Sequence, residues 1–287
     1  MLIMGKLLSI LKLTRIEHSA MLIIAVVAAE ILSGGIPAVP LLLLSVITPV
    51  FLSMSAFAVN DYFDIGVDRK NRKNRPLVTG ELKPSDAAYV TVITMVIGVL
   101  GSVFINVYCL WIAIIFGILS LLYSYKLKEL PLIGNAYVAF SMAIPFIFGD
   151  YVVSKVLFAQ IALIFALVFI SGLAREINGT IRDFKGDSKR KVITLPKVIG
   201  LKNSAYLGFV LYVIAIALTV YLFLGVPPFE GNMAYAILIL ISDIMLFYSG
   251  MVFAMERSKL YGKVRNISLA GMALALVCIL VSSLVYI

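Results

Sequence analysis

Charge is scarce in this chain of 287 residues: only 14% are Asp, Glu, Lys or Arg, against about a quarter in a soluble domain. Cysteine, histidine and tryptophan are nearly missing, with two, one and one. Two cysteines in apolar stretches, Cys109 and Cys278, make no disulfide framework. A single histidine, His18, excludes a histidine-based metal cluster and any histidine-activated triad elsewhere in the chain. No small-residue cleavage site follows the basic amphipathic stretch at residues 1–14, so no removable signal peptide is expected there. That stretch, with Lys6 and Lys12 among leucines and isoleucines, is expected to lie on the membrane surface. No tandem repeat or low-complexity segment is present.

Apolar residues fill the place of the missing charge. They are 62% of the chain, and mean hydropathy is +1.07. A water-soluble core cannot hide that many, so lipid must solvate them. A cytosolic enzyme, a nucleic-acid-binding module and a disordered tail are thereby excluded, and the net charge of +9 is read first as membrane topology. The runs are continuous and do not alternate, which excludes barrel strands. A hydrocarbon layer about 30 Å thick takes roughly 20 helical residues to cross. Nine spans are expected, near 18–34, 39–60, 86–105, 108–125, 133–150, 156–178, 203–225, 232–254 and 266–286. The fold class is therefore all-α and polytopic. With the N-terminus in the cytoplasm and the C-terminus outside, every one of the 24 Lys and Arg except Lys155 falls on the inside. That is the bias the positive-inside rule demands, and a miscount of one span would scramble it.

Acidic residues concentrate in two inside segments. The first reads Asn60-Asp61-Tyr62-Phe63-Asp64-Ile65-Gly66-Val67-Asp68. Asn60, Asp64 and Asp68 are spaced i, i+4, i+8, and Asp61 precedes Asp64 by three, so all four share a face of a helix leaving the second span. The second segment carries Glu176, Thr180, Asp183 and Asp187 at i, i+4, i+7, i+11, again one face. Most loop acids are solvated charges without a task. Two such faces, each at the cytoplasmic end of an apolar helix and each followed by Arg and Lys, point instead to a cation. Hard carboxylate oxygens suit Mg²⁺, which binds through one or two carboxylates plus substrate phosphates. Two faces opposed across a cavity would hold such ions around one diphosphate and make it a better leaving group.

Asn60-x-x-x-Asp64-x-x-x-Asp68 followed by Asn74-Arg75-Pro76-Leu77, and then Arg182-Asp183-x-x-Gly186-Asp187, resembles the paired motifs of the UbiA superfamily of intramembrane prenyltransferases. The resemblance covers essentially the whole chain as one domain, residues 1–287. It implies nine helices around a central cavity open to lipid, Mg²⁺ dependence, and prenyl transfer from an isoprenyl diphosphate. It assigns Asp64, Asp68, Asp183 and Asp187 to catalysis, and these four with Asn60, Asp61 and Glu176 to the metal. Many relatives have Asp where this chain has Thr180; Glu176, one turn earlier, is the candidate replacement. Tyr123, Ser124, Lys126 and Lys128 are similar to a diphosphate-binding element of the family, although an interfacial aromatic belt with topology lysines fits them as well. Arg72 and Arg75 are placed either on phosphate or among the topology charges.

On the acceptor side, Arg15, His18, Lys185 and Lys189 are the candidates, Arg15 being equally a snorkelling interfacial residue. Glu30, near the outer end of its span, is expected to reach water, and Asp243 to hydrogen-bond another helix; both are left out of the site. Three functions compete. The family branch that the sequence most resembles would move a geranylgeranyl group onto the hydroxyl of a geranylgeranylglyceryl phosphate, forming the second ether bond of archaeal lipids. The alternative acceptor is an aromatic acid or quinone precursor. A transporter is disfavoured because the acids gather at one membrane face and not at the midplane. The expected partners are the prenyl diphosphate, the lipid phosphate and the bilayer, with no nucleic acid and no obligatory protein.

Overall fold

The computed structural model describes residues 2–71, 74–187 and 193–284, without the side chains of residues 2–4 and 185–187. Among these residues there is no strand. The helices are α1 Leu2–Thr14, α2 Ser19–Ser33, α3 Val39–Lys70, α4 Pro76–Thr79, α5 Pro84–Val103 and α6 Val107–Tyr125. They continue as α7 Ile133–Val153, α8 Ala159–Asp187, α9 Leu195–Ile199, α10 Leu201–Gly225, α11 Met233–Ala254 and α12 Tyr261–Ser283. Nine of the described segments are long and apolar enough to cross a membrane, and each coincides with an expected span. The chain is a multi-pass membrane protein.

Two spans differ from expectation in where they end. Apolar composition stops near residues 60 and 178, yet α3 and α8 run on to Lys70 and Asp187. With 32 residues, α3 is about 48 Å long, well beyond the ~30 Å hydrocarbon layer. Both acidic segments are thus helical throughout.

The helices group into two compact units, residues 1–26 with 37–127, and residues 27–36 with 128–287. In the first, α3 packs against α5 and α6. Gly98 of α5 makes the close approach: a Cβ there would stand 2.7 Å from Cγ of Leu52 and 3.1 Å from the Thr48 carbonyl. Small residues at such crossings are how helices pack in lipid, where no hydrophobic force draws them together.

The chain leaves α3 through Arg75, Pro76 opens α4, and Gly80 closes it at φ +83°. Pro at a helix start and Gly in the left-handed region at its end are the local rule. This turn forms a floor for α1. Leu13 is wholly buried against Ala58, Leu77, Leu82 and Ala87. Lys6 pairs with Asp86 at 2.9 Å, and the Ser9 hydroxyl donates to Glu81 at 2.6 Å. That hydrogen bond holds the Glu81 carboxyl below the usual carboxylate range. Segment 5–14 is therefore docked on its own unit by one face; its other face, with Leu7 and Leu8 more than half exposed, meets the surroundings.

In the second unit α8 packs between α7 and α10 and touches α12. Ile177, Ile181, Leu195, Ala205, Val252, Phe253 and Val264 form its main apolar cluster. Glu30 is wholly buried, correcting the expectation that it reaches water. Asp243 does bond a neighbouring helix: the Thr219 hydroxyl of α10 donates to it at 2.7 Å, and the Tyr235 hydroxyl donates to the Thr219 carbonyl at 3.1 Å.

Candidate active site

The first acidic face divides into two groups. Asn60 and Asp64 stand one turn apart, and the Asn60 amide donates to Asp64 at 3.1 Å. Asp61 and Asp68, 3% and 1% exposed, are drawn together by Arg75. One guanidinium nitrogen of Arg75 lies 2.5 Å from Asp61 and 2.6 Å from Asp68. Arg15 reaches Asp61 from α1's end at 2.8 Å, with its guanidinium 4.7 Å above the Phe57 ring. Arg15 occupies a left-handed backbone conformation, φ 49°, which turns the chain from α1 into the first span. The sequence offered Arg75 as a phosphate clamp or a topology charge and Arg15 as an acceptor contact or a snorkelling residue. Both hold the carboxylates of this motif. His18 is largely exposed, edge-on to Phe57 at 5.4 Å and 3.8 Å from Glu17.

At the end of α6, Ser124 is buried while Tyr125 stands exposed against Phe63, with ring centroids 5.9 Å apart. Tyr123 is half-buried, Lys126 is exposed, and Lys128 is half-buried in the short turn Leu127–Glu129. Arg72 and Lys189 lie outside the described residues, as do the side chains of Lys185 and Asp187.

The second acidic face lines a cavity of about 260 Å³. Glu176, Thr180 and Asp183 of α8 are on its wall, together with Arg175, Asn178 and Arg182. Arg182 holds Asp183 with two bonds, 2.8 and 2.6 Å, and Arg175 donates to Glu176 at 2.9 Å. From the other helices come Phe253 of α11 and Arg265 and Ser268 of α12. Arg265 was not legible as a site residue in the sequence. Its only signal was membership of an inside loop whose positive charges topology already explained. Asn178 was missed too, sitting between the charged and hydroxyl residues of the second motif with no spacing of its own to mark it.

No three carboxylate, histidine or cysteine side chains converge on a metal-sized site among the described residues. The donor chemistry nevertheless fits Mg²⁺, because that ion takes one or two carboxylates and completes its shell with phosphate oxygens and water. Asn60 with Asp64, and Glu176 with Asp183 in the cavity, each offer hard oxygens on one helix face.

Residues 21–277 match the UbiA prenyltransferase family. The chain belongs to that family. It is 36% identical over 239 residues to digeranylgeranylglyceryl phosphate synthase of Archaeoglobus fulgidus, covering 82% of this chain and 81% of that one. A solved structure concerned with digeranylgeranylglyceryl phosphate synthase in membranes superposes with a TM-score of 0.81 at 29% identity, over 97% of this chain and 98% of the other. A UbiA homolog from Archaeoglobus fulgidus bound to GPP and Mg²⁺ shares the fold at a TM-score of 0.65 and 18% identity, over 93% and 99% of the two chains. Family membership takes the chain out of the transporter class, and the all-helical architecture is that of UbiA membrane proteins.

Proposed function

We propose that this UbiA-family protein is a Mg²⁺-dependent digeranylgeranylglyceryl phosphate synthase. It would transfer geranylgeranyl from its diphosphate to the free hydroxyl of 3-geranylgeranylglyceryl phosphate, releasing diphosphate and forming the second ether bond of an archaeal-type lipid. The likeness to relatives of that name, at 36% identity over most of the chain, carries the proposal. The two helical acidic faces support it, since a diphosphate leaving group asks for hard, metal-binding oxygens.

Bound Mg²⁺ would neutralise the diphosphate as it departs with the electrons of the carbon–oxygen bond. Asn60, Asp64 and Asp68 on α3, and Asp183 and Asp187 on α8, are assigned to hold it. Glu176 stands in for the carboxylate that Thr180 lacks. Arg75 bridges Asp61 and Asp68, and Arg15 holds Asp61. Lys128, Tyr123, Ser124 and Lys126 are assigned to diphosphate oxygens. As C1 of the prenyl chain becomes cationic, the acceptor hydroxyl captures it and loses its proton, in surroundings dry enough to suppress hydrolysis. The lysine and arginine bias supports an N-terminus in the cytoplasm, a C-terminus outside and a reaction near the cytoplasmic face.

The test is an assay of purified protein with geranylgeranyl diphosphate, offering geranylgeranylglyceryl phosphate and an aromatic acid side by side. Turnover should require Mg²⁺, favour the lipid phosphate, and be nearly abolished in Asp64→Ala and in Asp183→Ala. Preference for the aromatic acceptor would sink the assignment. Near-normal turnover by either variant at limiting Mg²⁺ would show that the metal site is misplaced.

A further inference from the structure

The cavity beside the second acidic face holds more positive charge than its acids need. Three guanidinium groups, Arg175, Arg182 and Arg265, meet two carboxylates, Glu176 and Asp183. Arg182 is occupied by Asp183 through both bonds of its fork. Arg175 spends one nitrogen on Glu176, but its Nε is buried and makes no hydrogen bond among the described residues. Arg265 faces Glu176 electrostatically from α12, with no salt bridge to it. Asn178 is 4% exposed and lines the cavity, with its side chain also against the Tyr212 hydroxyl of α10. A buried guanidinium N–H left unmet beside a cavity, next to an amide that lines it, is a donor waiting for an oxygen-rich ligand.

The chemistry of the proposed reaction names such a ligand. In a glyceryl phosphate, only two glycerol carbons and the ester oxygen separate the attacking hydroxyl oxygen from phosphorus. When that hydroxyl reaches the prenyl C1, the acceptor's phosphate must lie close to the departing diphosphate. Two anions so near repel each other, and the cations that serve the diphosphate cannot also cancel the second charge. A separate cationic subsite is needed. We infer that Arg265 and Arg175, with the Asn178 amide, bind the phosphate of the acceptor. This rests on the acceptor being a glyceryl phosphate. It makes Arg265 a residue that selects phosphorylated acceptors over neutral ones.

The decisive measurement is equilibrium binding to detergent-solubilised protein, without Mg²⁺ and without prenyl diphosphate. Geranylgeranylglyceryl phosphate is compared with geranylgeranylglycerol, its dephosphorylated form. Wild type should prefer the phosphate. Arg265→Gln should weaken phosphate binding at least about tenfold, the loss of one charge-assisted hydrogen bond, and leave geranylgeranylglycerol unaffected. Arg265→Lys should recover part of the loss, which a misfolded variant would not. In turnover, Arg265→Gln should raise the KM for the acceptor and leave that for geranylgeranyl diphosphate essentially unchanged. Unchanged phosphate affinity, equal weakening of both acceptors, or a parallel rise in both KM values would overturn the assignment of Arg265 while leaving the reaction intact. Equal wild-type binding of the two acceptors would instead overturn the phosphate-acceptor function, and this inference with it.

Discussion

Replacing Arg75 by Gln tests whether the first motif is held by its own arginines or merely flanked by topology charges. Arg75 serves two carboxylates at 2.5 and 2.6 Å, and both acids are almost fully buried while Arg75 keeps 24% of its side chain exposed. With charge centres ~4 Å apart and an effective dielectric of ~20, each pair attracts by roughly 4 kcal/mol. Desolvation of the three groups offsets much of that sum. Removing one member of a buried pair nevertheless costs about 3–5 kcal/mol, because the remaining charge stays buried. Arg15 keeps its hold on Asp61 and Asp68 has a further interaction, so the lower end of that range applies. Denaturant unfolding in mild detergent, followed by loss of helical circular dichroism, should therefore show Arg75→Gln destabilised by about 3 kcal/mol. Adding Asp68→Asn should restore part of it, since one of the two carboxylates that Arg75 serves is then neutral. A single variant within about 1 kcal/mol of wild type would mean the pairs are no stronger than surface bridges, and the bracing role of Arg75 would be refuted.

Three further outcomes are expected. Gly208→Ala places a methyl group 2.6 Å from the Asn178 side-chain oxygen, so it should cost about 1–3 kcal/mol in the same unfolding measurement and raise the acceptor KM; an unchanged KM would remove Asn178 from the binding site. Glu81 has a carboxyl pKa lowered by the Ser9 hydroxyl, so the contact it makes with α1 is present above the ordinary glutamate range and is lost as pH falls through the depressed value. Hydrogen exchange in residues 5–14 should accordingly speed up in acid, and a rate that stays flat down to the depressed value would show that the carboxylate does not hold the helix. A reporter fused after Ile287 should appear outside the cell and one inserted at Lys189 inside; finding both on one side would break the proposed orientation.

Spans and acidic faces were legible in the sequence for different physical reasons. A helix in lipid must be apolar along its whole buried length, so each crossing is written continuously in composition. The faces were legible because a period near four is distinctive once charges are rare. Less legible was where α3 and α8 end: beyond the hydrocarbon layer hydropathy no longer reports helix, and only the spacing of the acids carried the helix past each span. Glu30 shows a second blind spot. Its place near a span's end suggested water, and only the folded structure reveals that it is wholly buried.

The arginines are the hardest case, and the reason bears on how such a site is built. Positive residues on the cytoplasmic side orient the chain during insertion, and any of them does so without a fixed partner. Site chemistry asks for the same residue type on the same side, but with a defined partner. Composition and count cannot separate the two demands; contacts can. Arg15 and Arg75 are distinguished by buried carboxylates at 2.8 Å or less, Arg182 by a two-pronged hold on Asp183, and Arg265 by facing a cavity where the buried Arg175 Nε is unmet. Two of these tasks oppose each other chemically. Arg15 and Arg75 stabilise carboxylates that are present in every state of the protein, so their charge is spent in advance. Arg265 retains its charge for a ligand. A cation kept in reserve makes a binding contact, whereas a cation already neutralised makes a scaffold, and that difference predicts opposite phenotypes. Arg75→Gln should act first on stability, and Arg265→Gln first on acceptor affinity with stability nearly unchanged.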